Sequence, residues 1–122
     1  MSTHLHSPDQ LFREFVRRAN AGDVDGLVAL YAPDAKVYFS PDKAAHGHDE
    51  IRAALESMLA GGATFDDSGQ RKTIVVGTLA LTSATGGGAR FTAEVAEQQA
   101  DGSWLWLIDH PSFTSPDYLA AE

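Results

Sequence analysis

The chain contains no cysteine. Disulfide staples and thiol chemistry are thereby excluded. Positive charge is scarce too: nine Lys and Arg stand against seventeen Asp and Glu, a net charge of −8, which repels phosphate backbones and anionic membrane surfaces. Neither nucleic acid nor membrane is an expected partner. No segment approaches the roughly 20 consecutive apolar residues of a membrane span. The start Met1-Ser2-Thr3-His4-Leu5-His6 has neither the basic region nor the apolar stretch of a secretion signal. A cytoplasmic protein is the expectation. Repeats, low-complexity tracts and interdomain linkers are also missing, and 43% hydrophobic content is enough for one core, so a single domain over residues 1–122 is expected.

What is present begins with helical signals. Ser7-Pro8-Asp9-Gln10 has the form of a capping box with proline at the first helical position, and Leu11, Phe12, Phe15, Val16 and Ala19 then mark one face. A helix is predicted over residues 8–19. Asn20-Ala21-Gly22 breaks it, Asp23 caps a second helix reaching Leu30, and Pro33-Asp34 ends that element. Residues 35–40 read as a strand and 41–47 as a loop. Ile51, Ala54, Leu55, Met58 and Leu59 recur at helical spacing until Gly61-Gly62 stops a third helix. Residues 73–82, rich in β-branched side chains, read as one strand, followed by a hairpin turn at Gly86-Gly87-Gly88. That glycine run is no phosphate loop, because no Lys and Ser or Thr follow it at a strand-to-helix junction. The tail, 111–122, has no periodicity. Helices followed by long strands predict an α+β fold, with helices closing one face of a curved antiparallel sheet around an apolar mouth.

The last hairpin carries the chemistry. Residues 91–98 and 104–110 flank Ala100-Asp101-Gly102-Ser103, and a two-residue type I′ loop at Asp101-Gly102 sets Glu94 opposite Asp109. Carboxyls facing each other across an antiparallel pair lie roughly 5 Å apart. Such a pair is unfavourable unless one acid is protonated or something sits between them. It is either an acid pair for proton transfer or two solvated strand acids. His46 and His48, beside Asp49, have the look of a metal pair, but this motif before a helix more commonly caps the helix or meets solvent. No metal or other cofactor is expected. His110 follows Asp109 and points to the other face of a regular strand, so the two form no dyad.

The segment Asn20-Ala-Gly-Asp-Val-Asp-Gly-Leu-Val-Ala-Leu-Tyr-Ala-Pro-Asp-Ala-Lys-Val, then Gly47 and Asp49-Glu50-Ile51-Arg52, resembles the NTF2-like superfamily, in particular its ketosteroid-isomerase-like and SnoaL-like branch. Asp101-Gly-Ser-Trp and Ile108-Asp-His-Pro-Ser resemble its terminal hairpin. The resemblance implies a cone in which three N-terminal helices pack on the sheet. It also implies an oxyanion-hole tyrosine at the position of Phe15, a general-base aspartate at that of Phe39 and a protonated carboxylic donor near Glu94. Phe15 and Phe39 cannot donate or move a proton, which disfavours ketosteroid isomerase chemistry.

The resemblance further implies that Thr92, Glu94 and Ala96 face inward with Leu105, Leu107 and Asp109. Phe91, Val95, Trp104, Trp106 and Ile108 would then form an outer face suited to a homodimer interface. Alternation alone favours the reverse, with both tryptophans in the core and both acids in water. On the inward reading Glu94 and Asp109 are the catalytic candidates with Tyr38 nearby. Phe15, Phe39, Leu55, Leu59, Leu105 and Leu107 would line a pocket for a small apolar organic ligand, with Phe12 and Phe65 also available. The expected chemistry is metal-independent isomerisation, cyclisation, dehydration or hydrolysis. The competing expectation is a ligand-binding or dimerisation module without chemistry.

Overall fold

The computed structural model describes residues 5–85 and 91–120, so the expected turn at Gly86-Gly87-Gly88 lies outside the described residues. Amphipathic spacing builds the helical layer: α1 (Asp9–Asn20) buries Leu11, Val16 and Ala19 along one face. The Asp23 carboxylate accepts the Gly26 N–H at 2.9 Å and caps α2 (Val24–Val28). This helix is shorter than its sequence pattern predicts. The sheet takes the chain over early, because the Trp106 N–H donates to the Leu30 carbonyl at 2.9 Å and β1 (Tyr31–Ser40) starts at the next residue. Pro33 therefore sits inside a strand, where pairing with the neighbouring strand is interrupted between Tyr31 and Lys36. A residue without an N–H is tolerated at such an irregularity.

The predicted 41–47 loop contains a short edge strand, β2 (Lys43–His46), which leads directly into α3 (Gly47–Ala60). The third helix thus follows two strands rather than joining an N-terminal block of three. The predicted strand at 73–82 is a hairpin, β3 (Ile74–Val76) and β4 (Leu79–Thr82), because Gly77 takes φ +59° at the first position of a two-residue turn. β5 (Ala93–Gln98) and β6 (Trp104–His110) complete a six-stranded sheet in the order β2-β1-β6-β5-β4-β3. The meander from β3 returns beside β1 running in its direction, so β1 and β6 are parallel and the sheet is mixed. The expectation of an all-antiparallel sheet is corrected; the α+β class stands. Leu11, Leu27, Ile51 and Leu55 from the helices meet Val37, Ala96, Trp104 and Trp106 from the sheet in the core. Among the described residues no helix is long and apolar enough to cross a membrane.

The last hairpin departs from its predicted geometry twice, and the two departures cancel. Gly102, at φ +86°, donates its N–H to the Gln99 carbonyl at 2.9 Å, and Gln99 donates to the Ser103 carbonyl at 2.7 Å. The loop therefore holds three residues, the pattern of a type I turn closed by a glycine bulge, and Gln98 pairs with Trp104. Farther along, the register shifts between Val95 and Ala96, which pair with Ile108 and Trp106 and leave Leu107 as an extra residue. This bulge restores the opposition of Glu94 and Asp109. It also breaks alternation along β6. Trp104 and Trp106 lie in the core at 5% and 2% exposure, yet Asp109, three residues beyond Trp106, is buried as well. Each of the two sequence readings of this strand holds for half of it.

Candidate functional site

A cavity of about 440 Å³ opens between the helices and the sheet. Phe12 and Phe15 enter it from α1, Tyr31 and Phe39 from β1, Met58 from α3, and Trp106 and Asp109 from β6. Glu94 of β5 and Thr92 just before it supply another wall, and residues 64–68 form one lip. That lip is clamped by a side chain whose sequence signal is only a helix stop. Asn20 donates from Nδ2 to the Phe65 carbonyl at 2.9 Å and accepts the Phe65 N–H at 3.0 Å. Phe65, Phe15, Trp106 and Tyr31 then follow one another, with centroid separations of 5.4, 6.0 and 5.5 Å.

The polar end of this aromatic enclosure is the acid pair. Glu94 is 5% and Asp109 7% exposed. Thr82 donates its hydroxyl to Glu94 Oε1 at 2.6 Å, and the indole of Trp106 donates to that hydroxyl oxygen at 3.3 Å. Asp109 Oδ2 accepts the Tyr31 hydroxyl at 2.7 Å. Burial pushes Asp109 up to about 8, reinforced by the neighbouring Glu94 charge and opposed by the Tyr31 hydrogen bond. Glu94 is likewise raised by burial, while the Thr82 and Thr92 hydroxyls pull it back down. Tyr31 is driven well above a normal phenol by burial and by the adjacent carboxyls. At neutral pH the pair therefore retains a proton, and one acid can donate while the other accepts.

Several expected site residues sit elsewhere. Tyr38 points out of the opposite sheet face at 42% exposure and stacks on His110 at 5.3 Å and on Tyr118 at 5.9 Å. It is no cavity residue, because β1 alternates there and turns Val37 and Phe39 inward instead. Leu55 is sealed in the core away from the cavity wall, and Leu59 borders a shallow depression with Ala19 and Asn20. The β6 bulge takes Leu105 and Leu107 off the inner face, where Trp104 and Trp106 stand in their place. The proposed outer face accordingly loses both tryptophans. Val95 and Ile108 remain on it, and Phe91 packs under the Arg71 guanidinium at 5.4 Å.

Tyr31 was not singled out in the sequence. Its place between two predicted elements, as the end of one and not yet the start of the next, hid an inward-pointing strand residue. His46 and His48 do not converge: the His48 ring contacts the Tyr31 carbonyl at 2.8 Å, while His46 precedes α3 and donates its backbone N–H to Glu50. Among the described residues no group of three or more His, Cys, Asp and Glu converges to hold a metal ion.

A family model described as the SnoaL-like domain matches residues 12–110. No curated protein matches the chain significantly. Among solved structures, a protein from Thiobacillus denitrificans named for the calcium/calmodulin-dependent protein kinase type II association domain superposes with a TM-score of 0.69 at 15% identity, covering 88% of this chain and 94% of that one. A ketosteroid isomerase-like protein from Erwinia carotovora atroseptica gives 0.63 at 18% identity, over 83% and 88% of the two chains. An NTF2-like protein of unknown function from Pseudomonas putida gives 0.64 at 20% identity, over 83% and 80%. These likenesses are of fold.

Proposed function

The chain belongs to the SnoaL-like domain family, and we propose that it binds a small, largely apolar organic molecule in the aromatic cavity and moves a proton on it with Glu94 and Asp109. The observation that carries this reading is a cross-strand carboxyl pair buried at the end of an aromatic enclosure. The protonated member serves as general acid and the ionised member as general base, and Tyr31 orients Asp109 through its hydroxyl. Proton transfer of this kind suits isomerisation, cyclisation, dehydration or hydrolysis without a metal.

The test begins with a thermal-shift screen of small apolar compounds, followed by turnover assays on those that stabilise the protein. General acid–base catalysis contributes about 10²–10⁴-fold, and Glu94→Gln is expected to lose a factor of that size from turnover at unchanged molecular mass. Ligands that bind yet are recovered unaltered would support the second reading, a binding module without chemistry. Phe15 and Phe39 favour that alternative, since both line the cavity where the family resemblance places a tyrosine and an aspartate.

We further propose a homodimer through the outer face of the sheet, in an amended form. Ile74, Val76, Leu79, Leu81 and Ile108 are exposed there, and Val95 lies between Leu81 and Ile108. Apolar strand residues in such a continuous set call for a cover.

A further inference from the structure

Among the described residues the cavity is lined by three acids, Asp66, Glu94 and Asp109, and by no Lys, Arg or His. Among the described residues neither Glu94 nor Asp109 has a cationic partner; their hydrogen bonds come from the hydroxyl groups of Thr82, Thr92 and Tyr31. Asp66 at the lip is held anionic by the Ser68 N–H, which it accepts at 2.7 Å. Six aromatic residues, Phe12, Phe15, Tyr31, Phe39, Phe65 and Trp106, make up half of the remaining lining. Ring faces carry negative potential and attract cations, most strongly where water is excluded. A negative cavity in a chain of net charge −8 repels organic anions before they arrive. Carboxyls and aromatic faces together thus select for one sign of ligand charge.

We propose that the ligand is a lipophilic organic amine, bound as its ammonium ion with the nitrogen against Glu94 and Asp109 and the apolar body among the cavity's aromatic rings. This rests on the reading of the cavity as a ligand site and names the chemical class of its occupant. The ammonium takes the place of the proton that the acid pair otherwise retains, so the charge buried at that point is conserved. Burying an ammonium ion is costly without a partner. Here the ionised member of the buried pair provides one, and the ammonium charge offsets the cost of ionising the second. Binding then expels the pair's proton to the buffer, and the ammonium N–H takes over the donor role that the protonated acid holds without ligand. The titratable groups facing the pair are Tyr31 from β1 and, at the lip, Asp66; Thr82, Thr92 and Trp106 provide the uncharged contacts.

Calorimetry with three matched probes tests the class: naphthylethylamine, naphthylethanol and naphthylacetate, which share a body and differ in charge. The amine is expected to bind about tenfold or more tightly than the alcohol, and the carboxylate weakest of the three. Titrations in buffers of different ionisation enthalpy should show proton release with the amine and none with the alcohol. Glu94→Gln should remove most of the amine preference while retaining the alcohol, whereas Asp66→Asn should keep the preference. Equal or tighter binding of the alcohol by the unsubstituted protein overturns the ammonium assignment and leaves the cavity as a ligand site. Failure of all three probes overturns the assignment and the cavity reading together. An amine preference that survives Glu94→Gln and Asp109→Asn overturns the placement of the nitrogen.

Discussion

At Asp109 burial removes the water that stabilises an anion, and the side chain keeps its proton from its ordinary 3.8 up to about 8. The unfolded chain releases that proton near the lower value. Between the two the folded state binds more protons, so the stabilisation is whole below about 3.8 and is lost as pH rises to about 8. Melting temperature is therefore expected to fall across this window and to fall less steeply in Asp109→Asn; parallel curves would show that the acid is not held neutral. Tyr31→Phe removes the one hydroxyl bonded to Asp109 Oδ2. The expected cost is about 1–3 kcal/mol in denaturant unfolding, with a further upward shift of the acid seen by carboxyl-resolved titration. Sequence spacing put Glu94 opposite Asp109 through a two-residue loop, which the structure replaces with a three-residue loop and a compensating bulge. It said nothing of Tyr31, which reaches Asp109 over a separation of 78 residues.

The element that decides the site is β6, whose register depends on two local irregularities. Gly102 holds φ +86° with no close neighbour for an added methyl group, its nearest contact being His6 Nδ1 at 3.8 Å. Gly102→Ala should consequently cost about 1–2 kcal/mol, from the backbone alone, measured by urea unfolding; a neutral result would show that the loop relaxes to another turn. The bulge at Leu107 lets one strand bury tryptophans at 104 and 106 and an acid at 109. Deleting Leu107 removes that extra residue and makes 106, 108 and 109 successive, so strict alternation keeps both tryptophans and the acid inward. Cooperative unfolding and the buried acid pair are expected to survive; loss of cooperativity would show that the bulge's added twist is itself required. Bulges have no strong residue signature, which is why the strand pattern pointed two ways when read as strictly alternating.

For the molecule as a whole, packing and assembly separate on the two faces of the sheet. Trp106→Ala leaves a void in the core, so the protomer should lose about 3–5 kcal/mol. Leu81→Lys combined with Ile108→Lys places charge on the exposed outer face of the sheet instead. That pair should reduce the mass seen by light scattering from dimer to monomer while the melting temperature changes little; an unaltered mass would reject the amended dimer face. Both tryptophans looked equally suited to an interface or a core. Their burial follows from the helices that pack over them, Leu11, Leu27 and Leu55 among the residues of the same cluster.

The sequence by itself determined the α+β class, the three amphipathic helices and the chain reversals at Gly22, Gly61-Gly62 and Gly102. These rest on local periodicity and on glycine's freedom. Only the tertiary structure decided that β1 and β6 run parallel, that Tyr38 faces away from the cavity, and that Tyr31 donates to Asp109. It also turned both the acid pair and the tryptophans inward, because a single extra residue in β6 reverses the strand's faces midway. Contacts between distant segments set that register. The facing of Glu94 and Asp109, expected from a two-residue loop, holds only because the Leu107 bulge offsets a three-residue one, and their burial had no local signal at all.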